Sequence, residues 1–291
     1  YILNNIKKGS DVVLMGAGFI GCIILEALVK SGANLTVIEM ESRMVPRMMN
    51  EDAGSLIKDW CESKGVSICL ETRVESIEKQ AKGRLSLSLS NKIKIEADLV
   101  VSATGVVPNT EFLSKNQIET RRGILVNRFM ETSVSDVFAA GDVAEGLDFS
   151  TGEYSIQAIQ PTAVDHASLA ARNMVNFGAV EHQGSVNMNV LDTLGLVSSS
   201  FGSWEGIKDG EETTLINREN FKYLNLQFKE DILIGATSLG LTEHVGILCG
   251  LIQSKIRLGS WKERLIKDPT RLMEAYLSST QALGFNSKVF S

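Results

Sequence analysis

Cysteine is scarce and scattered in these 291 residues: Cys22, Cys61, Cys69 and Cys249 form no Cys-x-x-Cys pair, and none has a histidine at metal-ligand spacing. That spacing excludes a disulfide framework and gives no metal site, and it leaves reduced, buried thiols as the expectation for a cytoplasmic chain. Basic charge is missing too. A net charge of −6 offers no electrostatic footprint for nucleic acid or an anionic membrane surface, so neither is expected as a partner. The longest apolar runs, such as Val245 to Ile252, are broken by glycine and fall well short of the roughly 18 residues of a membrane span. No secretory signal pattern opens the chain. The length accommodates about two domains of roughly 100 to 200 residues each, with ample chain to bury a core.

What is present begins at Val12. The run Val12-Val-Leu-Met-Gly-Ala-Gly-Phe-Ile-Gly21 carries an apolar strand, predicted over Asp11 to Met15, straight into Gly-x-Gly-x-x-Gly. A helix is predicted from Phe19 to Ser31 with Ile20, Ile23, Ile24, Ala27 and Leu28 on one face, Gly32 ends it, and Leu35 to Glu39 forms the next strand. Strand, glycine loop, helix and second strand make one βαβ unit of the size that binds a dinucleotide. Gly16 permits the tight turn, Gly18 lets backbone N–H groups approach a pyrophosphate, and Gly21 allows the helix to pack on the strand. The helix N-terminus, at Phe19 and Ile20, adds unpaired N–H groups and a positive dipole end. Glu39 stands where an acid accepts hydrogen bonds from the adenosine ribose, with Met40 beside it; its carboxylate repels a 2′-phosphate and favours NAD over NADP, although Arg43 lies close in sequence.

The following segments read as support. Asn50 caps a helix to about Lys64, ended by Gly65. Leu85, Leu87 and Leu89 alternate with serines, and Asn91-Lys92 turns the chain into Ile93 and Ile95, a half-buried hairpin. Ala97 to Ala103 forms a strand that delivers the chain to Thr104-Gly105.

Two further motifs complete an order. Ala103-Thr-Gly-Val-Val-Pro-Asn-Thr-Glu-Phe-Leu113 taken alone is a turn, and Asp136-Val-Phe-Ala-Ala-Gly-Asp142 alone is a strand end with a cap or turn residue. In sequence with Gly-x-Gly-x-x-Gly and Glu39 they resemble the pyridine nucleotide-disulfide oxidoreductase family of two-dinucleotide flavoproteins, from about Val12 to Val175. The resemblance implies an α/β fold of three parts: a Rossmann-like NAD-binding domain with a parallel sheet and β-hairpin over 1–103, the C-terminal half of an FAD-binding domain over 104–180, and an α+β interface domain over 181–291. It implies that Asp142 hydrogen-bonds a ribityl hydroxyl of FAD beside Gly141, that Gln160, Pro161 and Thr162 at a helix start lie near the flavin, and that Thr104 and Gly105 cross close to the nicotinamide. His166, inside that helix, reads as a packing or surface residue rather than a base.

The last third predicts a hairpin of Phe221 to Phe228 and Ile232 to Ala236 around Glu230-Asp231, then two helical segments, the second capped by Asp268 with Pro269 at its first position. Gly284 to Ser291 reads as a loose tail. The resemblance here is to the interface domain of nitrite-reductase-like and rubredoxin-reductase-like members and implies a homodimer. Three departures limit the chemistry. The family's first, FAD-binding glycine loop is nowhere in the chain, no redox-active cysteine pair occurs, and Ile23 stands where many relatives carry a Glu paired with a Lys beside the flavin. The first departure leads to the expectation of a fragment, or of a split protein whose partner polypeptide supplies the missing FAD half. The function expected is NADH-dependent reduction of FAD with electrons passing to an unidentified acceptor; the alternative is an NAD-binding module without redox activity of its own.

Overall fold

The computed structural model describes residues 2–80, 83–113 and 117–287. The front of the chain alternates β1 (Asp11–Met15), α1 (Phe19–Lys30), β2 (Asn34–Ile38), α2 (Glu51–Ser63) and β3 (Ser67–Cys69). A hairpin insert, β4 (Val74–Lys79), β5 (Leu85–Leu89) and β6 (Lys94–Ala97), precedes β7 (Leu99–Ser102). The sheet order is β3-β2-β1-β7 with every pair parallel, so β1 lies in the interior beside both β2 and β7. Its Val12, Val13 and Leu14 are all buried, as a strand covered on both faces requires. β4, β5 and β6 form a separate antiparallel sheet, of which β4 was not anticipated. The single strand expected over Ala97 to Ala103 is divided, with Asp98 between β6 and β7 accepting the Asp11 N–H.

One expectation about α1 is overturned. Gly21, Cys22, Leu25 and Leu28 are its buried residues, while Ile20 and Ile23 are exposed at 57% and 47%. The helix is apolar almost all round, so periodicity could not choose the face. The close approach demanded by Gly21 does choose it. For α2 the expected start holds: the Asn50 side chain accepts the Ala53 N–H.

The middle of the chain has β8 (Ile124–Leu125), a short 3-10 turn over Gly141–Val143, β9 (Ala144–Leu147), β10 (Tyr154–Ser155) and α3 (Gln160–Val175). β8 and β9 are parallel, β9 and β10 antiparallel. Apolar side chains are left uncovered around this small sheet and its entry, with Val107 at 85% and Val175 at 89% exposure.

The last third is a five-stranded antiparallel sheet of β11 (Met188–Thr193), β12 (Leu196–Gly202), β13 (Glu211–Asn217), β14 (Lys222–Lys229) and β15 (Ile232–Leu239), ordered β11-β12-β15-β14-β13. Phe201, Leu224, Leu226 and Leu233 form a core with three helices, α4 (Val245–Ser254), α5 (Ser260–Lys267) and α6 (Leu272–Ser287), where two were expected. Asp268 caps a turn through Thr270 rather than a helix, and α6 begins three residues after Pro269. Gly284 to Ser287 are helical rather than loose, and 288–291 of the expected tail lie outside the described residues. Leu191, Leu196, Tyr223 and Leu239 of this sheet share one core with α1 and α2, and Tyr223 Oη accepts a 2.5 Å hydrogen bond from Asn50 Nδ2. The front and back of the chain are therefore packed as a unit.

Candidate dinucleotide site

The glycine loop sits at the C-terminal ends of β1, β2 and β7, the edge of an open α/β sheet where ligands bind. Gly16 has φ +98°, and a Cβ there would drive into the Ala103 carbonyl; a Cβ at Gly21 would drive into the Gly16 carbonyl. These two glycines close the loop onto β7 and α1. Gly18 differs: its φ is −75° and a Cβ would meet nothing within 4 Å. Internal packing therefore does not require a glycine at this position. Phe19 and Ile20 open α1 beside it, and Thr104 and Gly105 lie exposed just past the Ala103 carbonyl that Gly16 touches.

Glu39 lies one residue past β2 and is 7% exposed. Its Oε2 accepts the Ala17 N–H at 2.7 Å and its Oε1 accepts the Glu41 N–H at 3.0 Å. The carboxylate thus ties the end of β2 to the glycine loop, and each oxygen keeps acceptor capacity for a hydroxyl. Met40 next to it is 64% exposed. Arg43 is turned away from Glu39. Its guanidinium donates to the carbonyls of Met49 at 2.6 Å and Pro46 at 3.1 Å and pairs with Glu51 at 2.8 Å. The one cation that clouded the choice between NAD and NADP is therefore engaged elsewhere.

The second motif converges as well. Gly141, at φ +75°, would place a Cβ 3.4 Å from Ala163 Cβ, so the Gly141-Asp142 turn abuts the first turn of α3. Asp142, Gln160 and Pro161 are exposed there and Thr162 is buried. A carboxylate and a helix N-terminus of 16 residues' length thus share one open surface, the chemistry that takes polyol hydroxyls and phosphates.

His166 is 3% exposed and shares Ser185 Oγ with His182, at 3.2 and 3.1 Å. Burial, reinforced by the neighbouring His182 ring, pulls its pKa down to about 4, and burial lowers that of His182. A neutral, enclosed imidazole is a packing group, as expected. Burial also pushes the Cys22 and Cys61 thiols up to about 12, which removes thiolate chemistry from the front core. Among the described residues no cluster of His, Cys, Asp and Glu could hold a metal ion, and no helix is long and apolar enough to cross a membrane. Three contributors escaped the sequence reading: the Ala17 N–H, the clasp of Arg43, and Val45, whose N–H holds the Ala17 carbonyl at 2.9 Å. Only the Val45-Pro46 step carries a signal, because proline bars the residue before it from the right-handed helical region.

The family model for pyridine nucleotide-disulphide oxidoreductases matches residues 1–171. The NADH-dependent phenylglyoxylate dehydrogenase subunit epsilon of Aromatoleum evansii is 30% identical over 277 residues, covering 94% of this chain and 65% of that protein. Among solved structures, the NAD-dependent persulfide reductase of A. fulgidus superposes with a TM-score of 0.78 at 25% identity, over 87% of this chain and 50% of that one. Putidaredoxin reductase, in covalent complex with putidaredoxin, gives a TM-score of 0.84 at 18% identity, over 95% of this chain and 65% of the other, a likeness of fold. The chain thus spans about two thirds of these relatives' length or less.

Proposed function

Because the chain belongs to the pyridine nucleotide-disulphide oxidoreductase family, we propose that it binds NADH over the Gly16–Gly21 loop and serves hydride transfer to FAD. The observation that carries this reading is the pairing of an open Gly18 with a buried Glu39 across one loop, a cradle for pyrophosphate at one end and ribose at the other. The names of relatives, an NADH-dependent dehydrogenase subunit and an NAD-dependent reductase, support NADH as the donor. FAD held at the second motif would supply the chemistry of accepting a hydride and passing electrons onward.

The chain's own residues bind and orient. Gly18 and the first turn of α1 present N–H groups to the pyrophosphate, Glu39 accepts from the adenosine ribose, and Phe19, Ile20 and Met40 flank the nucleotide. Thr104 and Gly105 border the nicotinamide end. Asp142 beside Gly141 accepts from the ribityl chain, while Gln160, Pro161 and Thr162 bring the α3 N-terminus to the flavin. The same reading assigns 1–103 to the NAD domain, 104–180 to the FAD half-domain and 181–291 to an interface domain of a cytoplasmic homodimer.

One observation favours a second reading. Asp142, Gln160 and Pro161 are exposed to solvent, which also suits an NAD-binding module or a subunit completed by a partner polypeptide. Purified chain mixed with FAD and NADH separates the two. Retained yellow colour that bleaches on adding NADH supports the oxidoreductase, whereas NADH binding without retained flavin supports the module.

A further inference from the structure

Val45 has φ +48°, a left-handed backbone that a β-branched residue rarely adopts. Such a conformation persists only where the surroundings over-determine it, and here they do. The side chain is 1% exposed, among Met44, Met48 and Met49. The Val45 carbonyl accepts the N–H groups of Met48 and Met49 at 3.0 and 3.1 Å, and Arg43 grips the Pro46 and Met49 carbonyls on either side. The Glu51 carboxylate holds Arg43 and the Ser42 hydroxyl, and Gly54 lets α2 lie directly on Arg43 and Met44. The strap from Met40 to Asn50 is fixed, and its strained residue points one N–H at the Ala17 carbonyl.

That contact sets the orientation of a peptide plane. Ala17 to Gly18 is a trans peptide, so its C=O and N–H point in opposite directions. Drawing the Ala17 carbonyl inward, toward Val45 N–H at 2.9 Å and the Cys22 thiol at 3.6 Å, turns the Gly18 N–H outward. Among the described residues that N–H has no acceptor. We infer that Val45 is a positioning residue: its strained backbone aims the Gly18 N–H at the pyrophosphate of the bound dinucleotide. Glu39 fixes the preceding peptide through the Ala17 N–H, so the two peptides flanking Ala17 are locked independently. The inference rests on the NADH-binding reading of this loop.

The test deletes one atom group. An amide-to-ester replacement at Val45 removes the N–H and keeps the side chain, while Val45→Gly keeps the N–H and accepts the positive φ. Dissociation constants for ADP-ribose, which has the pyrophosphate, and adenosine, which lacks it, are measured on the full chain by competition against NADH fluorescence. The ester is expected to weaken ADP-ribose about tenfold or more, the scale of one hydrogen bond to a charged group, and to leave adenosine unchanged. Val45→Gly is expected to hold ADP-ribose within about threefold of the parent, since the donor is retained. Unchanged ADP-ribose affinity in the ester, equal losses for both ligands, or a loss in Val45→Gly matching the ester would each overturn the inference. An absence of NADH binding by the parent chain would instead overturn the dinucleotide reading, and the inference with it.

Discussion

Glu39→Ala perturbs two functions at once, and the structure separates them. The carboxylate accepts the N–H groups of Ala17 and Glu41, and Ala17 is 1% exposed, so water cannot replace the lost acceptor at the loop. Two hydrogen bonds to a charged group are worth roughly 1.5–3 kcal/mol each, and removing a buried charge recovers part of that, leaving a net loss of about 2–4 kcal/mol. At about 2–4 °C per kcal/mol for a domain of this size, melting should fall by about 4–16 °C. Losing the ribose acceptor weakens NADH by a further 1–3 kcal/mol, or about 5- to 150-fold. Glu39→Gln distinguishes the effects, because its carbonyl still serves Ala17 while its charge is gone. It should melt closer to the parent and discriminate less against NADPH. The assays are thermal melting by circular dichroism and fluorescence titration with NADH and NADPH. A Glu39→Ala protein that melts with the parent refutes the loop-tying role, and one that binds NADH as the parent does refutes the ribose role.

Three other outcomes are expected. Gly18→Ala should fold and melt like the parent, because the added methyl meets nothing, yet lose NADH affinity; Gly16→Ala, whose methyl meets the Ala103 carbonyl at φ +98°, should lose stability, and equal melting of the two in CD scans would contradict the division. Asp142→Ala, at an exposed position, should lower FAD retention measured by absorbance while NADH affinity and melting stay constant. The folded pKa of His166 is lowered from 6.5 to about 4, so the unfolded chain takes the proton first as pH falls. Its contribution is present above pH 6.5 and lost between 6.5 and about 4, a loss of about 3 kcal/mol; urea midpoints at pH 7.5 and 4.5 should converge in His166→Gln relative to the parent.

The front βαβ unit was legible because three glycines and a terminal acid each answer a separate geometric need. The face of α1 was not, since residues 19–29 are apolar on nearly every side and only contact with the sheet selects Cys22, Leu25 and Leu28. β11, β12 and β13 escaped for the opposite reason. Ser198, Ser199 and Ser200 and the polar run Glu211–Asn217 carry no alternation of apolar residues, yet the serines are buried in the sheet. At the site, spacing identified Glu39 as an acid at a strand end. It could not say that Glu39 holds the loop, since that depends on where the Ala17 N–H points. Val45 was legible only in part: Pro46 keeps it out of the right-handed helical region, but nothing in Met44-Val-Pro-Arg47 requires a positive φ, which the strap's tertiary contacts impose.

The central claim is that NADH lies across the Gly16–Gly21 loop, and a crystal structure of the chain grown with NADH tests it most directly. The pyrophosphate is expected within hydrogen-bonding distance of the Gly18 N–H and the first turn of α1, with the adenosine ribose hydroxyls on Glu39. NADH bound elsewhere, or a ribose pointing away from Glu39, would contradict it.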